Sequence, residues 1–140
     1  EITVDADGTI TIPATACSKP SRSGGRVLFL PSNLGGKQLL YGRNGGAQDL
    51  EYTFEVPRAG RYALTARVCT PSWQQHLDVH VDGASRAVDL ALPHTVGLWA
   101  TTTPIELELQ AGQNVLRLRH RSDGYDKGFA VRDFTLTPGH

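Results

Sequence analysis

Glu106 and Glu108 stand two residues apart, and a pair of carboxylates is the least that acid–base chemistry at a glycosidic bond requires. They fall in the alternating run Ile105–Leu109, so both point to the outer face of one strand. Nothing adjacent in sequence would shift either group, and the pair reads as a solvated strand face. His76 and His80 would share a helix face as metal ligands. On a strand they lie about 13 Å apart, beyond the reach of one ion. Asp5-Ala6-Asp7-Gly8 opens like a calcium loop, but the twelfth position is Ala16 rather than Glu, so a turn is expected. The chain holds no G-x-S-x-G, no H-E-x-x-H and no phosphate loop. No enzyme activity and no required cofactor are expected.

Binding chemistry is better represented. Of ten aromatic residues (two Trp, four Tyr and four Phe), Tyr52, Phe54 and Tyr62 fall on the apolar side of alternating runs and belong to a core. Tyr41, Trp73, Trp99 and Tyr125 fall outside the alternation or beside loops. A loop indole in a charge-balanced chain offers a flat apolar face to a ring of matching shape, such as a sugar. The segment Arg121–Lys127 adds polar groups around Tyr125, with Asp123, Asp126 and Lys127 as partners for hydroxyl groups. The alternatives are a Trp99 that caps one end of the core and a 121–127 segment that is a solvated turn. Asp133 interrupts the apolar run of the last strand and needs either an arginine or a hard cation. Cys17 and Cys69 can form one disulfide or remain two free thiols, and they are too few for a zinc site.

The elements that must position these residues are strands. Leu50, Tyr52, Phe54 and Val56 alternate with Glu51, Thr53 and Glu55, which is the period of a half-buried strand. Pro57-Arg58-Ala59-Gly60 then turns the chain into Tyr62, Leu64, Ala66 and Val68, and the two runs are expected to pair as a hairpin. Further strands are expected at Glu1–Val4, Thr9–Ile12, Arg26–Leu30, Lys37–Tyr41, Leu77–Val81, Arg86–Leu90, Ile105–Leu109, around Leu116 and Leu118, and from Phe129 to Thr137. The last run alternates irregularly, which points to a bulge or to burial on both faces. No segment has a helical period. The fold class is all-β, an antiparallel β-sandwich.

Length and charge bound the rest. The chain has 140 residues, with 14 Lys+Arg against 14 Asp+Glu and no net charge. One domain spanning 1–140 is expected, cut from a longer polypeptide. Neutrality argues against nucleic acid, which demands a basic footprint. No apolar run approaches the length of a membrane span, so no membrane partner is expected.

Several phrases in order resemble a known family. They are Asp49–Tyr62, Val79-His80-Val81-Asp82-Gly83, Thr95-Val96-Gly97-Leu98-Trp99, Leu109–Leu118 and Val131–Leu136. Together they are similar to carbohydrate-binding modules of families 6 and 35, strongly over about Leu50–Pro138. The resemblance implies a galactose-binding-like jelly roll. It also implies a non-catalytic module that tethers a glycan-active enzyme or surface protein to a polysaccharide or oligosaccharide. A sugar site in loops at one end would have an aromatic at Trp99 and polar groups around Asp123–Lys127. A secreted, periplasmic or cell-surface location and a neighbouring catalytic domain in the same chain follow from it. The family's structural calcium would use Asp133, although Thr11–Cys17 carries none of the usual first-strand carboxylates. The family's second tryptophan is absent from Ala100–Thr103. The competing reading is a structural or protein-interaction sandwich that binds no sugar.

Overall fold

The computed structural model describes residues 1–33, 35–43, 48–122 and 127–139. Among them, twelve strands form two antiparallel sheets: β1 (Thr3–Val4), β2 (Ile10–Pro13), β3 (Val27–Pro31), β4 (Lys37–Tyr41), β5 (Leu50–Val56), β6 (Gly60–Cys69), β7 (Gln75–Val81), β8 (Val88–Leu92), β9 (Ala100–Thr101), β10 (Ile105–Leu109), β11 (Gly112–Ser122) and β12 (Phe129–Pro138). One 3₁₀ turn spans Ala14–Ala16. No described helix is long and apolar enough to cross a membrane.

β12 is the spine of the larger sheet. It pairs with β4 through Phe129–Val131, with β2 through Asp133–Leu136, and with β6 through Ala130–Pro138. β9 and β10 also pair with β6. The register slips between Val131 and Asp133. Phe129, Ala130 and Val131 are buried in succession, so the irregular alternation of this strand reflects both a bulge and two-sided burial. The smaller sheet runs β5-β11-β7-β8.

The expected β5–β6 hairpin does not form. β5 pairs with β11 in the smaller sheet, while β6 pairs with β12 in the larger one. Pro57–Ala59 therefore carries the chain from one sheet to the other, across the ~10 Å that separates packed sheets. Alternation shows which face of a strand is buried, and two facing sheets bury the same kind of face. It cannot distinguish a partner beside the strand from one opposite it. Tyr52 of β5 meets Phe134 of β12 edge-on, with ring centroids 5.2 Å apart, and this contact spans the two sheets. The Tyr52 hydroxyl donates to the Ala14 carbonyl at 2.6 Å, and burial pushes its pKa well above the ordinary phenol value.

Two smaller departures follow from turns. β8 begins at Val88 rather than Arg86, because Asp82 N–H donates to Val115 O and Ala84 N–H closes a turn onto Val81 O. The two-residue strand β9 is too short to show a period. One edge is covered. Ser18 and Lys19 lie along β5, with Ser18 N–H donating to Glu51 O at 2.8 Å and Glu51 N–H donating to Lys19 O at 2.9 Å.

Candidate functional site

Strand ends define the rim that carries the candidate residues. Cys69 lies opposite Ala130, Gln75 opposite both Leu92 and Ser122, and Tyr41 opposite Phe129. This register brings the ends of β4, β6, β8 and β11 and the starts of β7 and β12 to one end of the sandwich.

Buried threonines pin the chain on either side of the segment 96–101. Thr70 N–H donates to Thr95 Oγ1 at 2.8 Å, and Thr95 N–H donates to Thr70 O at 2.9 Å. The Thr70 hydroxyl donates to the Pro93 carbonyl. Farther along, Thr102 Oγ1 accepts from Ala66 N–H, and Thr102 N–H donates to Ala66 O, both at 2.9 Å. Between these pins Gly97 takes φ +75°, a turn conformation that side-chain-bearing residues resist. Val96 and Leu98 stand out on either side of it, 84% and 73% exposed.

Trp73 is 68% exposed. One face of its indole stacks on the His94 imidazole, with centroids 4.3 Å apart and planes at 23°. The ring is thus backed on one side. Its loop is held from beneath: Lys127 Nζ donates to the Trp73 carbonyl at 2.7 Å. Gln75 Nε2 donates to the carbonyls of Gly128 at 3.0 Å and Ser72 at 3.3 Å. That leaves Gln75 Oε1 to accept from His120 Nε2 at 2.7 Å, so His120 carries a hydrogen on that nitrogen. Gln74 sits at φ +61°, a left-handed conformation that is uncommon for a residue with a side chain.

Trp99 is half-buried. Its indole N–H donates to Asn33 Oδ1 at 3.3 Å, in the β3–β4 connection. Ala100 pairs with Val68, so Trp99 stands where the rim meets the outward face of the larger sheet.

Two expected ligand contacts are corrected. Tyr41 is 2% exposed and lies in the core rather than on the rim. The Arg26 guanidinium sits 4.3 Å above its ring, and His120 and Phe129 flank it with centroids at 4.8 and 5.4 Å. Lys127 is 4% exposed and spends its ammonium group on a loop carbonyl, so it positions Trp73 rather than meeting a ligand. Arg26 performs a similar role, donating to Gly42 O at 2.7 Å and Lys127 O at 3.3 Å. Asp123, Tyr125 and Asp126 lie outside the described residues. The remaining candidates are structural: Glu106 and Glu108 are exposed partners of Arg61, His76 pairs with Asp89, and His80 bonds the Ala84 carbonyl. Both cysteines are free thiols, and burial raises the pKa of Cys17.

By sequence, no family model and no curated protein matches the chain. Solved structures do. The C-terminal family 6 module of LamC, a marine laminarinase from Zobellia galactanivorans, superposes with a TM-score of 0.73 at 20% identity, covering 92% of this chain and 98% of that one. A family 6 module of Cellvibrio mixtus lichenase 5A, solved with cellotriose, gives 0.69 at 22%, covering 93% and 97%. A family 35 module from Clostridium thermocellum gives 0.64 at 18%, covering 99% and 98%. The chain has a family 6/35-type carbohydrate-binding-module fold.

Asp133, the residue expected to hold calcium, lies on β12 opposite Pro13 of β2 and Arg67 of β6. A calcium ion takes six to eight oxygens, and no group of three His, Cys, Asp or Glu side chains gathers among the described residues. The charged groups acting on Asp133 are guanidiniums, those of Arg132 and Arg67. Burial raises the Asp133 pKa, and both arginines pull against that rise. Residue types alone did not single out His94, Gln75, His120, Arg26, Val96 or Leu98. One available signal was charge: residues 90–105 contain no Asp, Glu, Lys or Arg, and neither do residues 68–77.

Proposed function

We propose that this chain is a non-catalytic module that binds polysaccharide or oligosaccharide at the aromatic rim, with Trp73 and Trp99 as its stacking rings. What carries the reading is the Trp73 indole, backed on one face by His94 and 68% exposed. A pyranose presents a flat C–H face of similar size, and stacking it on a fixed ring costs little conformational entropy. The fold neighbours add support, since they are carbohydrate-binding modules and one was solved with cellotriose. In the Podospora anserina GH26-CBM35 β-(1,4)-mannanase the matching portion is 28% of the chain. That arrangement suits a secreted, periplasmic or cell-surface protein in which the module delivers a catalytic domain to its glycan.

The test is retention on particulate β-1,3-glucan, cellulose and β-mannan. Trp73→Ala and Trp99→Ala are each expected to weaken retention by roughly ten-fold, since one stacking ring contributes about 0.5–1.5 kcal/mol beyond the apolar area it buries. Thermal stability should hold for Trp73→Ala, because the ring is mostly in solvent. Equal retention of both variants on every glycan that holds the parent chain would end the assignment of these rings.

A further inference from the structure

Among the described residues, three large apolar side chains stand in solvent at this rim: Trp73, Val96 and Leu98. A cleft for a soluble sugar surrounds its ligand and meets many hydroxyl groups. Val96 and Leu98 instead project outward from a loop pinned at Thr95 and Thr102. Projecting groups gain little from an isolated chain that water can still surround. They gain most against an extended flat face that covers them all at once.

The two loops that carry these side chains are also uncharged, with residues 68–77 and 90–105 free of Asp, Glu, Lys and Arg, whereas the sequence between β4 and β5 and between β11 and β12 holds Arg43, Asp49, Asp123, Asp126 and Lys127. An uncharged patch complements a neutral partner and forgoes attraction to an anionic one. The held rings narrow the choice further. Trp73 is backed by His94, and the Trp99 N–H is already bonded to Asn33. Both indoles are oriented before any ligand arrives. A fluid bilayer would adapt to any ring orientation, whereas packed sugar faces require a fixed one.

From these observations we infer that the rim docks on the face of a packed, insoluble neutral polysaccharide, with Val96 and Leu98 enlarging the contact that Trp73 begins. This inference rests on the saccharide reading above and specifies the physical state of the ligand.

The experiment compares the whole chain with Val96→Ser/Leu98→Ser in three arms. These are particulate β-1,3-glucan, cellulose and β-mannan; the soluble hexasaccharides of the same linkages; and phosphatidylcholine vesicles. The expected result is retention on at least one particle, with the double variant weaker by roughly ten-fold or more. Soluble hexasaccharide should bind far more weakly than the particle and be indifferent to the double substitution. Two results overturn the inference while sparing sugar binding: hexasaccharide binding as tight as particle retention, or a double variant retained like the parent. Absence of binding to both particles and hexasaccharides overturns the inference and the saccharide reading together. Vesicle binding lost in the double variant makes a lipid surface the occupant and overturns the inference. Unchanged melting of the double variant is the folding control, since both side chains lie in solvent.

Discussion

Lys127→Met isolates the support beneath Trp73 from the ring itself. Methionine keeps an unbranched side chain of similar length, so the buried site stays filled and the main loss is the ammonium group. In the parent chain that group donates to the Trp73 carbonyl at 2.7 Å from a position almost sealed from water. A hydrogen bond with a charged partner contributes about 1.5–3 kcal/mol. If the loop must recover its shape on binding without that bond, affinity falls by roughly 10- to 150-fold. Isothermal titration or depletion on the retained glycan measures this directly, and acrylamide quenching reports whether the indole has loosened. The signature is weaker binding with Trp73 still present, increased quenching, and partial recovery in Lys127→Arg. A folded Lys127→Met with parental affinity and parental quenching would show that the loop holds its shape without the ammonium, and the reasoning would fail.

Two further outcomes test the scaffold. Tyr52→Phe removes the hydroxyl that satisfies the Ala14 carbonyl, and should lower stability by about 1–2 kcal/mol in a urea titration with sugar binding intact. Asp133 has a pKa raised by burial, so near and above the ordinary carboxylate range the folded state holds its proton more tightly than the unfolded state. Its contribution is fully present below the unfolded value and is lost as pH rises through the folded one. Asp133→Asn should therefore raise the melting temperature at pH 7 relative to the parent, with the gain shrinking toward pH 3. The opposite trend would mean that Arg67 and Arg132 outweigh desolvation.

The strands were legible because each buries one face. Leu50–Val56 and Ile105–Leu109 are found where alternation places them. Partnership was less legible. The same alternation in β5 and β6 suggested neighbours within one sheet, and the structure places them in opposite layers. The site divided along a similar line. Loop position was enough to single out Trp73 for a surface role, but Tyr41 and Lys127 are governed by contacts with residues distant in sequence. Arg26 covers Tyr41, and Lys127 reaches back to the carbonyl of Trp73. Residue type cannot reveal such pairings when the partners lie 54 positions apart, as Lys127 and Trp73 do. Asp133 was legible as needing a counterpart, and its neighbours are arginines from its own strand and from β6.

The Ser18–Lys19 segment lying along β5 has a consequence for self-association. A bare strand border is a template on which a second molecule can add its own backbone, the first step toward clumping. Here Ser18 and Lys19 already fill the hydrogen-bonding positions of Glu51, and Lys19 is exposed beside them. Intruding backbone would have to displace that segment before it could pair with Glu51. For a module proposed to crowd onto a solid, such a guard would let its copies lie side by side without knitting into one another.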